Sequence, residues 1–325
     1  MRSAIHHEFG DPAQVLALDD APMPEPKAGE VRIRTLLAPI HNHDLLTVRG
    51  QYGYKPTLPA IGGSEAVGIV DALGEGVEGV SIGERVASSS GRGTWAEYFT
   101  TPARMIVPMP DGIPDETAAQ LMAMPLSALM LLDSLALPPG AWIVQNAANG
   151  AVGKALAMLG EARGLHVVNV VRRDEGIAEL AELGIPHVVS SAQPDWMQQV
   201  RDLTGPGLAQ AAIDSVGGKA SGAMLSLVGN GGTLVSFGAL TGEAMQLSPA
   251  DLIFKQAIVT GFWGSKASQA MSTEDKRRLV GELLQRTLAG ELRLPVDAIH
   301  DLADIAQAAA ASLRPARAGK VLLRP

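Results

Sequence analysis

Between residues 31 and 110 the apolar positions come in short runs broken by polar residues and glycines. Val31-Arg32-Ile33-Arg34 alternates strictly, 66–70 is a second short apolar run, and 84–87 and 94–99 follow. Successive side chains of a strand point to opposite faces, so this spacing predicts a compact, mostly antiparallel β domain. The stretch 110–117, Pro-Asp-Gly-Ile-Pro-Asp-Glu-Thr, reads as a linker that closes on an acidic helix start. Residues 118–135 then read as one apolar helix.

From Ala141 the pattern changes to strands that alternate with helices. Apolar strand-length runs fall at 142–145, 166–171, 188–189, 211–214, 233–237 and 258–262. Helical periodicity lies between them, at 151–162, 176–183, 196–203 and 219–227. Strictly alternating strands and helices imply a parallel, doubly wound α/β sheet. The tail returns to another pattern, with helices expected at 276–289 and 302–313 and a last strand at 320–323.

One stretch of the second half carries chemistry. The strand that begins at Trp142 runs into Asn146-Ala147-Ala148-Asn149-Gly150-Ala151-Val152-Gly153, and a helix starts at once, with Ala155, Leu156, Leu159 and Ala162 on one side. Strand, small-residue turn and helix form a cradle for a dinucleotide pyrophosphate, because glycine lets the backbone approach and the helix N-terminus offers free N–H groups. The usual G-x-G-x-x-G stands here as Ala148-x-Gly150-x-x-Gly153, without its first glycine. At the end of the next strand, where an NAD site places an acidic residue, stand Arg172 and Arg173. Two guanidinium groups suit a 2′-phosphate, so NADPH is the expected cofactor; the plainer alternative is a pair of solvated surface arginines.

Composition narrows the class. The 325 residues suit two domains, and 46% are hydrophobic. There is no cysteine, which removes disulfides, thiolate zinc sites and a cysteine nucleophile. A net charge of −8 with no long basic run argues against nucleic acid as a partner. No apolar run approaches the ~20 residues that span a membrane. A soluble, cytoplasmic protein with a small-molecule substrate is expected.

Several stretches resemble a zinc-free branch of the medium-chain dehydrogenase/reductase superfamily, and within it the 2-enoyl thioester reductases. They are Arg49-Gly50-Gln51-Tyr52-Gly53, Leu58-Pro59-Ala60-Ile61-Gly62-Gly63-Ser64-Glu65, Gln145-Asn146-Ala147-Ala148-Asn149, Asp214-Ser215-Val216-Gly217-Gly218-Lys219, and the segments 252–255, 261–263 and 319–324. The resemblance implies a GroES-like catalytic domain from 1–115 and 264–325, a Rossmann NADPH-binding domain from 116–263, and an active cleft between them. It implies that Tyr52 is the electrophilic and proton-transfer residue and that Trp263 runs past the nicotinamide toward the acyl pocket; His41, where the reductase pattern usually has asparagine, is expected to line the substrate cleft or donate a hydrogen bond there. Val216, Gly217, Gly238, Phe262, Trp263 and Lys320 join the cradle residues and the two arginines as the cofactor-binding set. Zinc-bearing members place a cysteine where His41 stands, a histidine at Ser64 and a cysteine near Met122–Met124. With two of three ligands lost, no catalytic metal is expected, and the alternative ligand set would be His41, His43 and Glu65. A homodimer through the segment 247–262 is implied as well. The function implied is reduction of an activated C=C bond. A quinone or enone reductase is the alternative within the class, and a non-catalytic NADPH-binding protein the alternative outside it. A zinc-dependent alcohol dehydrogenase fits less well.

Overall fold

A computed structural model of the chain describes residues 1–89 and 91–325. Contacts divide it into two compact units, Met1–Ala123 with Leu294–Pro325, and Met124–Arg293. The expected boundaries at 115/116 and 263/264 differ from this division, for two physical reasons. Arg85 holds the linker on the first unit: Nε donates to Asp115 at 2.8 Å, and its Nη groups donate to the carbonyls of Ile113 and Pro110 at 2.7 and 3.2 Å. The helices Gly264–Ala270 and Thr273–Leu288, expected with the first domain, pack on the helix Met124–Leu135. Leu279 and Leu283 are buried there, and Arg163 binds Glu282 at 2.7 and 2.8 Å.

The first unit is built around the ten-residue strand Glu30–Pro39. Ala66–Leu73, Tyr98–Pro102 and Lys320–Arg324 all pair with it antiparallel. The C-terminal strand therefore completes the sheet of the N-terminal segment, and Val296–Asp301 pairs parallel to it on the far side. Ile33, Val70, Trp95, Phe99, Leu302, Val321 and Leu323 fill the core. The rings of Trp95 lie so close to Gly62 and Gly63 that a Cβ at either would sit within 2.4 Å of them. Three short strands that the pattern did not predict, Arg2–His6, Ala17–Asp20 and Ala60–Ile61, form a separate sheet.

The helix expected over 118–135 is broken. Asp115–Ala118 is one helix and Met124–Leu135 another. Between them the N–H groups of Met122 and Ala123 donate to Glu65 Oε1 at 2.5 and 2.7 Å. A long-range carboxyl group takes these backbone donors, and Pro125 in the first turn of the second helix has no N–H with which to continue the first.

The second unit holds a six-stranded parallel sheet. Its order is Val188–Ser190, His166–Val171, Trp142–Gln145, Ala209–Asp214, Val228–Ser236, Ile258–Gly261. Chain progression reverses between Trp142–Gln145 and Ala209–Asp214. In a doubly wound sheet ligands bind just beyond the carboxyl ends of the strands at such a reversal.

Candidate active site

Beyond the reversal lies the cradle. The helix Ala151–Ala162 has Gly150 at its N-cap, and no side chain caps it. Its first-turn N–H groups, of Ala151, Val152 and Gly153, are of the kind that binds an anion. A Cβ on Gly153 would come within 2.6 Å of the Ala148 carbonyl oxygen, so glycine is required for this helix to sit so close to the turn. Ala147 adopts φ 50°, unusual for a residue with a Cβ. The missing first glycine thus leaves its conformational demand on an alanine beside it.

A buried polar network, which the sequence reading did not single out, holds this end of the sheet. Asp214 Oδ1 accepts from Asn146 Nδ2 at 2.6 Å and from the N–H groups of Val216 and Gly217 at 2.9 and 3.2 Å. Its Oδ2 accepts from the Ser221 hydroxyl at 2.5 Å. Asn146 Oδ1 accepts in turn from Ser215 N–H at 2.7 Å, and the Asp214 carbonyl accepts from Gly238 N–H at 3.2 Å. Asn146, Val216, Gly217 and Gly238 are thereby gathered round one carboxyl group. The sequence offered the two stretches that carry the resemblance, 145–149 and 214–219, but not the hydrogen bonds that join them.

The two arginines are not equivalent. Arg172 is exposed at the end of its strand. Arg173 is drawn back onto the following helix, 3.3 Å from Glu179 and 3.6 Å from Glu175. The reading of a matched pair is therefore unequal in the structure, with Arg172 the more available cation. On the same side of the sheet the Phe262 ring stacks on Phe237 at 5.8 Å. Trp263 is 48% exposed and lines an open depression with Ser236, Phe262, Lys266 and Ala267.

The first unit gathers a second cluster. His41 begins the helix Asn42–Val48, and its backbone N–H donates to the Asp44 carboxyl group at 3.2 Å. The His41 ring is buried, with Nε2 2.6 Å from Glu65 Oε2. It stacks on His43 at 5.0 Å, and His43 lies 5.6 Å from the half-buried Tyr52 ring. His43 Nε2 also lies 2.8 Å from the Ser64 hydroxyl. Lys320 Nζ donates to the Ile40 carbonyl at 3.4 Å, so this lysine belongs to the His41–Glu65 cluster.

Burial dominates the electrostatics. It pushes the Glu65 carboxyl up to about 8, against the pull of the Met122 and Ala123 N–H groups and of Lys320. Burial, with Lys320 and His43 nearby, holds His41 well below its usual range. Lys320 is lowered to about 8 by desolvation and by Arg317. The proton of the His41–Glu65 hydrogen bond therefore rests on Glu65 near neutral pH, and Oε2–H donates to Nε2. His41 Nδ1 is buried with no hydrogen-bond partner among the described residues. At the positions where zinc-bearing relatives place ligands, both Glu65 oxygens are engaged by hydrogen bonds, and Ser64 faces His43.

Comparison with known proteins places the chain. The alcohol dehydrogenase GroES-like domain matches residues 27–111, and the zinc-binding dehydrogenase domain matches 151–280. The human mitochondrial enoyl-[acyl-carrier-protein] reductase is 33% identical over 99% of this chain and 88% of its own length. Among solved structures, one from Bacillus thuringiensis assigned as an NADPH:quinone reductase superposes with TM-score 0.91 at 30% identity, covering 100% of this chain and 98% of the other. A mycobacterial protein solved as a complex with NADPH gives TM-score 0.89 at 29% identity, with both chains covered at 100%. This chain is a medium-chain dehydrogenase/reductase, with a GroES-like and a Rossmann domain. Within that superfamily it belongs with the enoyl reductases and quinone oxidoreductases.

Proposed function

We propose that this chain is an NADPH-dependent reductase of an activated carbon–carbon double bond, with a 2-enoyl thioester as acceptor. The observation that carries the reading is the Asp214-centred cradle with Arg172 at the neighbouring strand end, together with the enoyl-reductase relatives at about a third identity over the whole chain. The uncapped helix start fits a pyrophosphate, and the turn that precedes it is built of small residues. Ala151, Val152 and Gly153 would hold the pyrophosphate through backbone N–H groups, and Arg172 the 2′-phosphate. When bound, the dihydronicotinamide supplies a hydride to the substrate β-carbon.

The rest of the chemistry belongs to the chain. Negative charge that develops on the thioester carbonyl needs a donor already in place. Tyr52 supplies it, since a phenol donates a hydrogen bond without a change of charge, and the α-carbon then takes a proton, passed from solvent through the Tyr52 hydroxyl, to complete the saturated thioester. Trp263 walls the acyl chain, and its partial exposure beside the open depression supports that role. His41 and Glu65 are both held in their uncharged forms by burial near neutral pH, which leaves Lys320 as the cation of the first unit's cluster. A quinone acceptor is the second reading, favoured by the Bacillus thuringiensis structure.

Replacing Arg172 with alanine is expected to raise the Michaelis constant for NADPH about 10- to 100-fold and to leave NADH use nearly unchanged. That range corresponds to one charge-assisted contact of roughly 1.5–3 kcal/mol. Arg173→Ala has a smaller effect, because Glu179 and Glu175 already engage that guanidinium. Steady-state kinetics of the two single variants with both cofactors checks it; equal effects, or equal use of NADPH and NADH by the unmodified protein, overturn it.

We also propose a homodimer through the sheet edge and a cytoplasmic location. Ile258–Gly261 is the terminal strand of its sheet and exposed at every residue. Beside it Ile253, Phe254 and Ile258 are 59%, 81% and 56% exposed. An open apolar edge is a surface that soluble proteins cover, and a two-fold partner would cover it. Light scattering should give twice the chain mass for the native protein and the single chain mass for Ile258→Lys; a monomeric native protein contradicts the proposal. No helix among the described residues is long and apolar enough to cross a membrane.

A further inference from the structure

At the opposite end of the parallel sheet from the cradle, three side chains converge that no part of the reductase reading uses. We propose that Glu161, His166 and His187 form a binding site for a divalent transition-metal cation of the zinc class. One ligand atom of each lies within 4.8 Å of the others. His166 opens the strand His166–Val171, and His187 directly precedes the strand Val188–Ser190 that pairs beside it. Glu161 sits in the last turn of the helix Ala151–Ala162, which the turn before His166 folds back beside the strand start. The site is roughly 20 Å along the strand from Arg172, at about 3.3 Å per residue.

Two features set this corner apart, one of which, the charge of Glu161, a cation would relieve. Glu161 places negative charge at a helix C-terminus, where the backbone dipole is already negative and basic residues are preferred. His187 is held at φ 53°, a left-handed conformation that residues with a Cβ rarely adopt. Its carbonyl accepts from Asn169 N–H at 2.8 Å, and Asn169 Nδ2 donates to the Pro186 carbonyl at 2.9 Å, so the conformation is fixed by its neighbours. Strain held in this way marks segments with a task. The His166 and His187 rings stand nearly perpendicular, at 85° and 6.2 Å, and both pack on Trp142, at 4.7 and 5.2 Å. Glu161 Oε1 accepts from Val167 N–H at 3.3 Å, and a carboxylate has a second oxygen to offer.

Two imidazoles and one carboxylate, with a fourth position for water, are a zinc ligand set. Bonds of about 2.0–2.1 Å in a tetrahedron bring ligand atoms to roughly 3.3 Å from one another. The step from 4.8 Å is one of side-chain rotation. Bound metal would tie together the helix end and two strand starts, and would offset the charge of Glu161. The site is structural and takes no part in hydride transfer.

The test uses the full chain, stripped with a chelator and titrated with zinc chloride by calorimetry and tryptophan fluorescence, with nickel chloride as a quenching probe beside Trp142. One zinc per chain is expected, with a higher melting temperature on binding. His187→Asn keeps a residue that tolerates the left-handed backbone but removes the imidazole; it should weaken zinc binding at least 100-fold and abolish the thermal shift. Glu161→Gln, isosteric and uncharged, should weaken binding at least 10-fold and, in the absence of metal, melt no lower than the native chain. NADPH oxidation should be the same with zinc, with chelator and in both variants. An aromatic cluster that serves packing alone would bind no zinc, and surface histidines elsewhere would bind it equally in every variant; either result overturns the proposal.

Discussion

Replacing Tyr52 with phenylalanine is expected to lower turnover of an enoyl thioester on the order of a hundredfold while NADPH binding is unchanged. The substitution keeps the ring that packs 5.6 Å from His43 and removes only the hydroxyl. Loss of one preorganised donor to a developing oxyanion costs about 100- to 1000-fold in rate. The loss should fall on kcat rather than on the Michaelis constant, because the hydrogen bond strengthens as charge develops. Tyr52 lies in a half-buried bend, so the melting temperature should barely move. Stopped-flow decay of NADPH absorbance under single turnover checks it, alongside NADPH binding by fluorescence. Normal single-turnover rates in Tyr52→Phe would remove the assigned role and turn attention to His41, whose buried Nδ1 is the other donor of the cluster.

The second large effect concerns Glu65. Glu65→Ala strands two backbone donors, Met122 and Ala123 N–H, and the buried His41 ring. At about 1–3 kcal/mol for each of these three unsatisfied buried groups, the variant should lose at least about 3 kcal/mol of stability. Glu65→Gln is expected to be close to native near pH 6, because an amide matches the protonated acid: its oxygen accepts the two N–H groups and its NH2 donates to His41. The two proteins should part as the solution becomes alkaline. Glu65 is raised from 4.5 to about 8, so its contribution is fully present below 4.5 and is lost as pH rises through 8. His41 is lowered from 6.5, so its contribution is present above 6.5 and lost at lower pH. Lys320, lowered from 10.5 to about 8, adds stability only as pH rises above 8. Between pH 6.5 and 8 the Glu65 effect therefore stands alone. Denaturant midpoints should fall across that window for the native chain and stay level for Glu65→Gln; parallel curves would show that Glu65 is ionised throughout.

The two sites were legible to different degrees. The cradle is local: the strand Trp142–Gln145, a turn of small residues and the helix Ala151–Ala162 follow one another without interruption, and their periodicity shows at once. The strand His166–Val171 was read to the residue. What escaped was non-local. Asp214 reaches back 68 residues to Asn146, and Glu65 reaches forward 57 and 58 to the N–H groups that break the expected helix. Over 118–135 the legible signal for that break was Pro125, which stands in the first turn of the second helix and has no N–H to continue the first; the carboxyl group that takes the freed donors lies in another segment and left no mark there. Arg173 looked equal to Arg172 until the helix Glu175–Ala181 placed Glu179 beside it. Strands such as Ala17–Asp20, exposed throughout, carry no alternation to read.

The central claim is the reaction itself, and acceptor-dependent NADPH oxidation tests it most directly. The purified chain should oxidise NADPH with crotonyl thioester as acceptor, at a rate far above that with no acceptor and above that with a quinone, and should do so equally after chelation. Oxidation with quinone alone, or none with any acceptor, would contradict the account.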